Sequence, residues 1–277
     1  MSQNSFGSVQ RVALAGLGAI GLQVARTLDA GKIRGFELAA VAVRDTEKAK
    51  KTLSDFQRPP TVLDSVESLA EYADLVVECA PARILPQIVR PFLNAGKTAV
   101  VVSCGALLEN EDLLQLARDK GGRIIVPTGA LIGLDAVAAA AEGTIYSVTM
   151  TTRKPVRGLL GAPYLVENNI DIENIQEPMR VFSGTPREAA KGFPANLNVA
   201  VAISLAGIGP DKTKLEIWAD PKHERNSHYI KVEADSANFS MEIENVPSEA
   251  NPRTGQITAY SVISCLRKLT APLAVGS

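Results

Sequence analysis

Two groups of residues in this sequence have types and spacings that can do chemistry. The first is Gly16-Leu17-Gly18-Ala19-Ile20-Gly21, three glycines in the pattern GxGxxG. Between a strand and a helix each glycine has a mechanical reason. Gly16 permits the tight turn, Gly18 lets the backbone approach a pyrophosphate, and Gly21 lets the helix lie against the strand. Ala19 and Ile20 then sit at the helix N-terminus, where N–H groups and the helix dipole favour phosphate. The second group is histidine, which occurs only at His223 and His228. An imidazole with an unperturbed pKa of ~6.5 can take and return protons near neutrality, so any histidine chemistry falls on one of these two closely spaced positions.

The elements around the glycine turn fit the first reading. Residues 12–15 are a short apolar run, 22–28 have helical periodicity, and 36–43 form a second apolar run followed by a charged helical segment. That is a βαβ unit, the context in which GxGxxG becomes specific. Apolar runs at 75–79, 98–103 and 123–126 alternate with helical patterns at 82–93 and 111–120, which predicts a parallel sheet covered on both faces. After Gly133 the character changes: alanine-rich 134–141, β-branched 144–152, a helix over 197–206, strands at 214–218, 229–234 and 239–243, and a last helix over 256–269. The expected fold is therefore α/β, with an N-terminal Rossmann domain over 1–133 and a second α/β domain over 134–255. The sheet of the second domain is mixed or antiparallel, and the last helix can pack back on the first domain.

Charge and composition exclude other classes. With 29 Lys+Arg against 30 Asp+Glu the net charge is −1, and the basic residues form no stripe, so a nucleic-acid or membrane-surface partner is not expected. Cys79, Cys104 and Cys265 lie far apart without CxxC, so neither a disulfide framework nor a structural metal is expected. The N-terminal residues lack a signal pattern and no apolar run has the length of a membrane span, which makes the cytoplasm the expected location. At the end of the second strand run, Arg44 and Asp45 stand together, further from the glycine turn than the usual ~20 residues. An acidic residue there suits the ribose of NAD and an arginine the 2′-phosphate of NADP, so both cofactors are expected to bind, with Arg44 shifting preference toward NADP.

Further segments carry a resemblance. VPTGALIGLDA at 126–136, TTRKP at 151–155, FPANLNVAVAISLAG at 193–207, ADP and NSHYI within 219–230 and ENVPSEANPRTG at 244–255 follow one another in order. Together with GLGAIG they resemble the L-aspartate dehydrogenase family over nearly the whole chain. The resemblance implies reversible NAD(P)-dependent oxidative deamination of L-aspartate to oxaloacetate and ammonia through iminosuccinate. It also implies a link to pyridine nucleotide biosynthesis and a homodimer. The histidine of NSH falls on His228, which the resemblance makes the active-site residue. Ala130 would contact the cofactor through its backbone, and Asn198, or alternatively Asn196, would contact the nicotinamide end.

The chemistry agrees with these assignments. Hydride transfer from Cα needs no nucleophile, whereas hydration of the imine needs a proton carrier, for which His228 is the candidate. His223 lies in the charged stretch Pro221-Lys222-His223-Glu224-Arg225 and reads as a solvated loop residue. A dicarboxylate needs cationic or N–H partners, and Lys154, Asn226 and Arg253 are the candidates. Two other readings stay open on the sequence: a related NAD(P)-dependent oxidoreductase acting on another amino acid, an imine or a hydroxy acid, and a non-catalytic NAD(P)-binding protein.

Overall fold

The computed structural model describes residues 9–193, 197–249, 251 and 254–276. Two compact units emerge. One runs to Pro127 and takes in Ala259–Ala274; the other is Thr128–Thr258. The boundary thus lies before Thr128, earlier than the change of composition at Gly133. Residues 128–133 belong with the second unit because they pack on its sheet: a Cβ on Gly133 would collide with the Met241 sulfur.

The first unit is a six-stranded parallel sheet, built from β1 (Gln10–Ala15), β2 (Phe36–Ala42), β3 (Thr61–Leu63), β4 (Leu75–Glu78), β5 (Thr98–Val101) and β6 (Arg123–Ile125) in the order β3-β2-β1-β4-β5-β6. The near-continuous burial of β1, β4 and β5 explains why these strands read as unbroken apolar runs rather than alternating ones. Strand order reverses between β1 and β4, and ligands of open α/β sheets bind in the crevice at such a switch point. Helix Gln256–Thr270 contributes Val262 and Leu266 to the same core as Val12, Leu14, Val77 and Val100. Its end is tied down where Thr270 Oγ1 donates to the Arg34 carbonyl at 2.7 Å. The short β3, TVL, was not expected from the sequence, since three half-exposed residues carry no periodicity.

The second unit is a mixed five-stranded sheet of β7 (Ile145–Pro155), β8 (Met179–Gly184), β9 (Lys214–Asp220), β10 (Asn226–Ala234) and β11 (Asn238–Asn245), in the order β11-β10-β7-β9-β8. Among the described residues of this sheet only β7 and β9 pair in parallel. Along β7 the buried positions alternate as Val148, Met150, Thr152 and Lys154, a period of two with one face toward the interior. Helices Leu134–Ala141 and Asn198–Ala206 pack on each other, and Gly207, just after the second, lies against both Val137 and Val148. Strand β8 was missed by sequence reasoning. Its place is secured by tertiary packing, with Phe182 in a ring cluster with Tyr164 and Phe193 at centroid distances of 5.2–5.7 Å. No described helix is long and apolar enough to cross a membrane.

Candidate active site

In the first unit the glycine turn has the geometry its sequence demands. Gly16 has φ +100°, and a Cβ there would lie 2.7 Å from the Cys79 carbonyl oxygen, so a side chain is excluded by both conformation and space. Gly21 admits no Cβ either, because it would strike the Gly16 carbonyl. Gly18 differs: a Cβ there meets no protein atom within 4 Å. It is the N-cap of helix Ala19–Asp29 and makes no side-chain cap, leaving the first N–H groups of that helix for an anion. These residues fit a dinucleotide pyrophosphate. Arg44 is exposed after β2. Asp45 accepts from the Lys48 N–H at 2.9 Å and caps helix Thr46–Leu53, so one of its oxygens already serves the fold.

Beside the turn, Glu78 ends β4 with no exposed surface. Its carboxylate accepts from the N–H groups of Ala80, Val102 and Ser103 and from the Ser103 hydroxyl, at 2.8–3.1 Å. Burial still lifts its carboxyl above the usual range against the pull of those donors. It binds together the chain ends that follow β4 and β5. Its signal in the sequence is a charged residue inside the apolar run 75–79.

The second unit gathers the remaining polar candidates on one sheet face. In the β7–β10 ladder His228 lies opposite Thr152, and in the β10–β11 ladder Asn226 lies opposite Asn245. Alternation then puts Lys154, Thr152, His228, Asn226 and Asn245 on the same face. His228 is 2% exposed, and its Nδ1 is 3.1 Å from Thr152 Oγ1, which leaves Nε2 for chemistry. Burial, and after it the charge of Lys154, lowers its pKa to about 3. The imidazole is therefore neutral at neutral pH. Burial alone lowers Lys154 to about 8, so it remains mostly cationic there.

Lys154 and Asn226 open onto a cavity of about 270 Å³, together with Arg157, Glu224, Asn245, Asn251 and Gly255. His228 is not on its lining; it stands one alternation deeper along β10. The structure thus brings together Lys154, Asn226 and His228. Asn245 and Arg157 were missed, because a lone asparagine at a strand end and a lone arginine in a turn have no sequence signature. Arg253 and Asn196 lie outside the described residues. Asn198 is the exposed first residue of helix Asn198–Ala206, whose N-cap is Leu197. The carbonyl of Ala130 accepts from Asn245 Nδ2 at 3.1 Å, so one of its backbone groups is engaged within the second unit.

His223 is not the solvated residue its charged neighbours imply. Its Nε2 is 2.9 Å from the hydroxyl of buried Ser227, and its Nδ1 is 3.8 Å from buried Asp220. Asp220 also accepts from the Lys222 N–H and lies 3.5 Å from Arg153, whose guanidinium stacks over Trp218. This cluster stands on the opposite face of β10 from His228 and folds the 221–225 turn against the sheet.

Comparison with known proteins places this geometry in context. Residues 135–269 match the family described as aspartate dehydrogenase, C-terminal, and residues 16–127 match homoserine dehydrogenase, NAD binding domain. An L-aspartate dehydrogenase of Bradyrhizobium diazoefficiens is 61% identical over 100% of this chain and 98% of its own. L-aspartate dehydrogenase 3 of Bordetella bronchiseptica is 54% identical over 96% of this chain and 97% of its own. Among solved structures, aspartate dehydrogenase from Thermotoga maritima superposes with a TM-score of 0.73 at 24% identity, covering 96% of this chain and 99% of that one, which supports the fold.

Proposed function

The chain belongs to the aspartate dehydrogenase family, and from that premise we propose that it oxidises L-aspartate with NAD or NADP to oxaloacetate and ammonia, reversibly, by way of iminosuccinate. The observation that carries the proposal is the convergence of Lys154 and Asn226 on one cavity, with His228 next along the same strand face. A dicarboxylate requires cationic and N–H partners in a partly desolvated site, and Lys154, Arg157 and the Asn226 carboxamide supply them. Arg253 is a further candidate from the sequence.

When bound, the nicotinamide supplies the hydride acceptor. The protein's part is to hold the substrate and manage protons. His228 stays neutral beside the Lys154 ammonium, so Nε2 can accept a proton from the water that adds to the imine and return it to the departing amine. A substrate carboxylate beside Lys154 offsets the ammonium, the smaller of the two causes that depress the imidazole, and so shifts its basicity upward.

For the cofactor, Gly16, Gly18, Ala19, Ile20 and Gly21 cradle the pyrophosphate, Arg44 meets a 2′-phosphate, and Ala130, Asn196 and Asn198 are the assigned contacts in the second half of the chain. A homodimer in the cytoplasm that serves pyridine nucleotide biosynthesis completes the reading.

The test follows reduced-cofactor absorbance while L-aspartate is mixed with NAD or NADP, then with oxaloacetate and ammonium in reverse. L-Aspartate should be oxidised far faster than glutamate, alanine or homoserine; a faster rate with any of those would overturn the assignment. For Arg44→Ala, the KM for NADP should rise several-fold relative to that for NAD, and an unchanged ratio removes Arg44 from the account.

A further inference from the structure

Asn245 closes β11 at 4% exposure and lines the cavity opposite Asn226. Its carboxamide has only one consistent orientation. Nδ2 is 3.1 Å from the Ala130 carbonyl, which can only accept, so the atom there must be the nitrogen and the oxygen must face the other way. Among the described residues, Asn245 Oδ1 is the one buried side-chain polar atom with no hydrogen-bond partner. Buried acceptors left unmet are uncommon and costly, and one on a cavity wall calls for a donor brought by a ligand. Gly255, on the same wall, keeps the approach open. Its φ is not in the left-handed region, yet a Cβ there would lie 3.0 Å from Asn245 Oδ1.

We propose that Asn245 Oδ1 accepts a hydrogen bond from the amino nitrogen of the substrate while Lys154 holds a carboxylate, so that Asn245 selects an amine or imine N–H over a carbonyl oxygen. This rests on the aspartate reading above and adds a chemical preference to it. An amine and a protonated or neutral imine both present N–H; the carbonyl of a 2-oxo acid presents only lone pairs, which an acceptor oxygen repels. The same cavity thereby holds aspartate and iminosuccinate and releases oxaloacetate. Glu224, the acidic residue on the lining, is exposed, and its interaction with a ligand is screened by water.

The test uses the enzyme saturated with reduced cofactor, so that nothing is oxidised, titrated calorimetrically with L-aspartate and with succinate, which is aspartate without its amino group. Wild type should prefer aspartate by about tenfold, the size of one hydrogen bond to a buried partner. In Asn245→Leu the preference should collapse to within about twofold, with succinate affinity little changed, while Glu224→Gln should keep it. Equal binding of aspartate and succinate by wild type overturns the proposal and needs no variant. A full preference retained in Asn245→Leu, or in Asn245→Ser if the leucine variant does not fold, overturns it as well. Lys154→Met separates the two levels. If it leaves succinate binding intact, the dicarboxylate site itself is wrongly placed; if it weakens succinate while Asn245→Leu keeps the preference, only the role of Asn245 fails.

Discussion

Glu78 in the first unit and the pair His228 and Asn245 in the second are all polar side chains withdrawn from water, but they are finished differently. Every oxygen of Glu78 is met by the chain, through three N–H groups and a hydroxyl. In the second unit the imidazole has one nitrogen held by Thr152, and the Asn245 oxygen has no partner among the described residues. A buried charge whose bonds are complete fastens loops in place. Buried groups with bonding capacity left over, next to a cavity, are arranged for something that comes and goes. On this difference Glu78 belongs to the scaffold under the glycine turn, and the β7–β10–β11 face is the one proposed for the substrate.

The largest test of that contrast is His228→Ala, which should lower kcat by ~10²–10⁴ with the fold retained, as loss of a proton-transfer group does. A normal kcat would remove His228 from the chemistry. Because folding depresses its pKa from 6.5 to about 3, the unfolded chain binds the extra proton first. Stability is therefore lost as pH falls through 6.5 toward about 3, and His228→Ala should show a shallower loss of Tm over that window.

Glu78→Gln sets an NH₂ against at least one of the backbone donors and should cost about 1–3 kcal/mol, seen as a Tm several degrees lower. Its effect on KM should fall on the cofactor, since the loops it ties lie at the switch point between β1 and β4. An unchanged Tm would show that the completed bonds around Glu78 are not structural.

Lys154→Met should do the opposite and raise Tm at pH 7 by a few degrees, because an apolar chain of similar length carries no desolvation cost. The lysine's pKa is lowered to about 8, so wild-type stability should also climb with pH between about 8 and 10.5, where the unfolded chain holds the proton and the folded one does not. The climb should vanish in the methionine variant. A lower Tm in Lys154→Met would place the ammonium among the structural charges.

The smallest expected effect is that of His223→Ala. Losing its bond to Ser227 should loosen the turn that carries Glu224 and Asn226 to the cavity, raising the aspartate KM a few-fold with kcat nearly unchanged. A kcat loss like that of His228→Ala would erase the distinction between the two faces of β10.

How much of this was legible in the sequence follows from how local each feature is. The glycine turn, the parallel strands other than β3 and the helix at 256–269 are written in short windows with a single periodicity, and they were readable. Lys154, Asn226 and His228 could be named, but their meeting depends on strand pairing between residues about 70 apart, which no window contains. Asn245 was hidden likewise, since it gains its meaning only from Ala130, 115 residues away, and from Asn226 across the β10–β11 pairing. His223 was misread because a run of charged neighbours looks solvated whether or not one of them turns inward. Asp220 and Ser227, which hold it, are ordinary residues until the turn brings them together.

The central claim, that the cavity beside His228 in the second unit holds the dicarboxylate, is tested most directly by steady-state KM values in Lys154→Met. The account predicts a rise of ten-fold or more in KM for L-aspartate, the scale of a lost charge-assisted hydrogen bond, with KM for NAD or NADP unchanged. An unaltered KM for L-aspartate in that variant would contradict it.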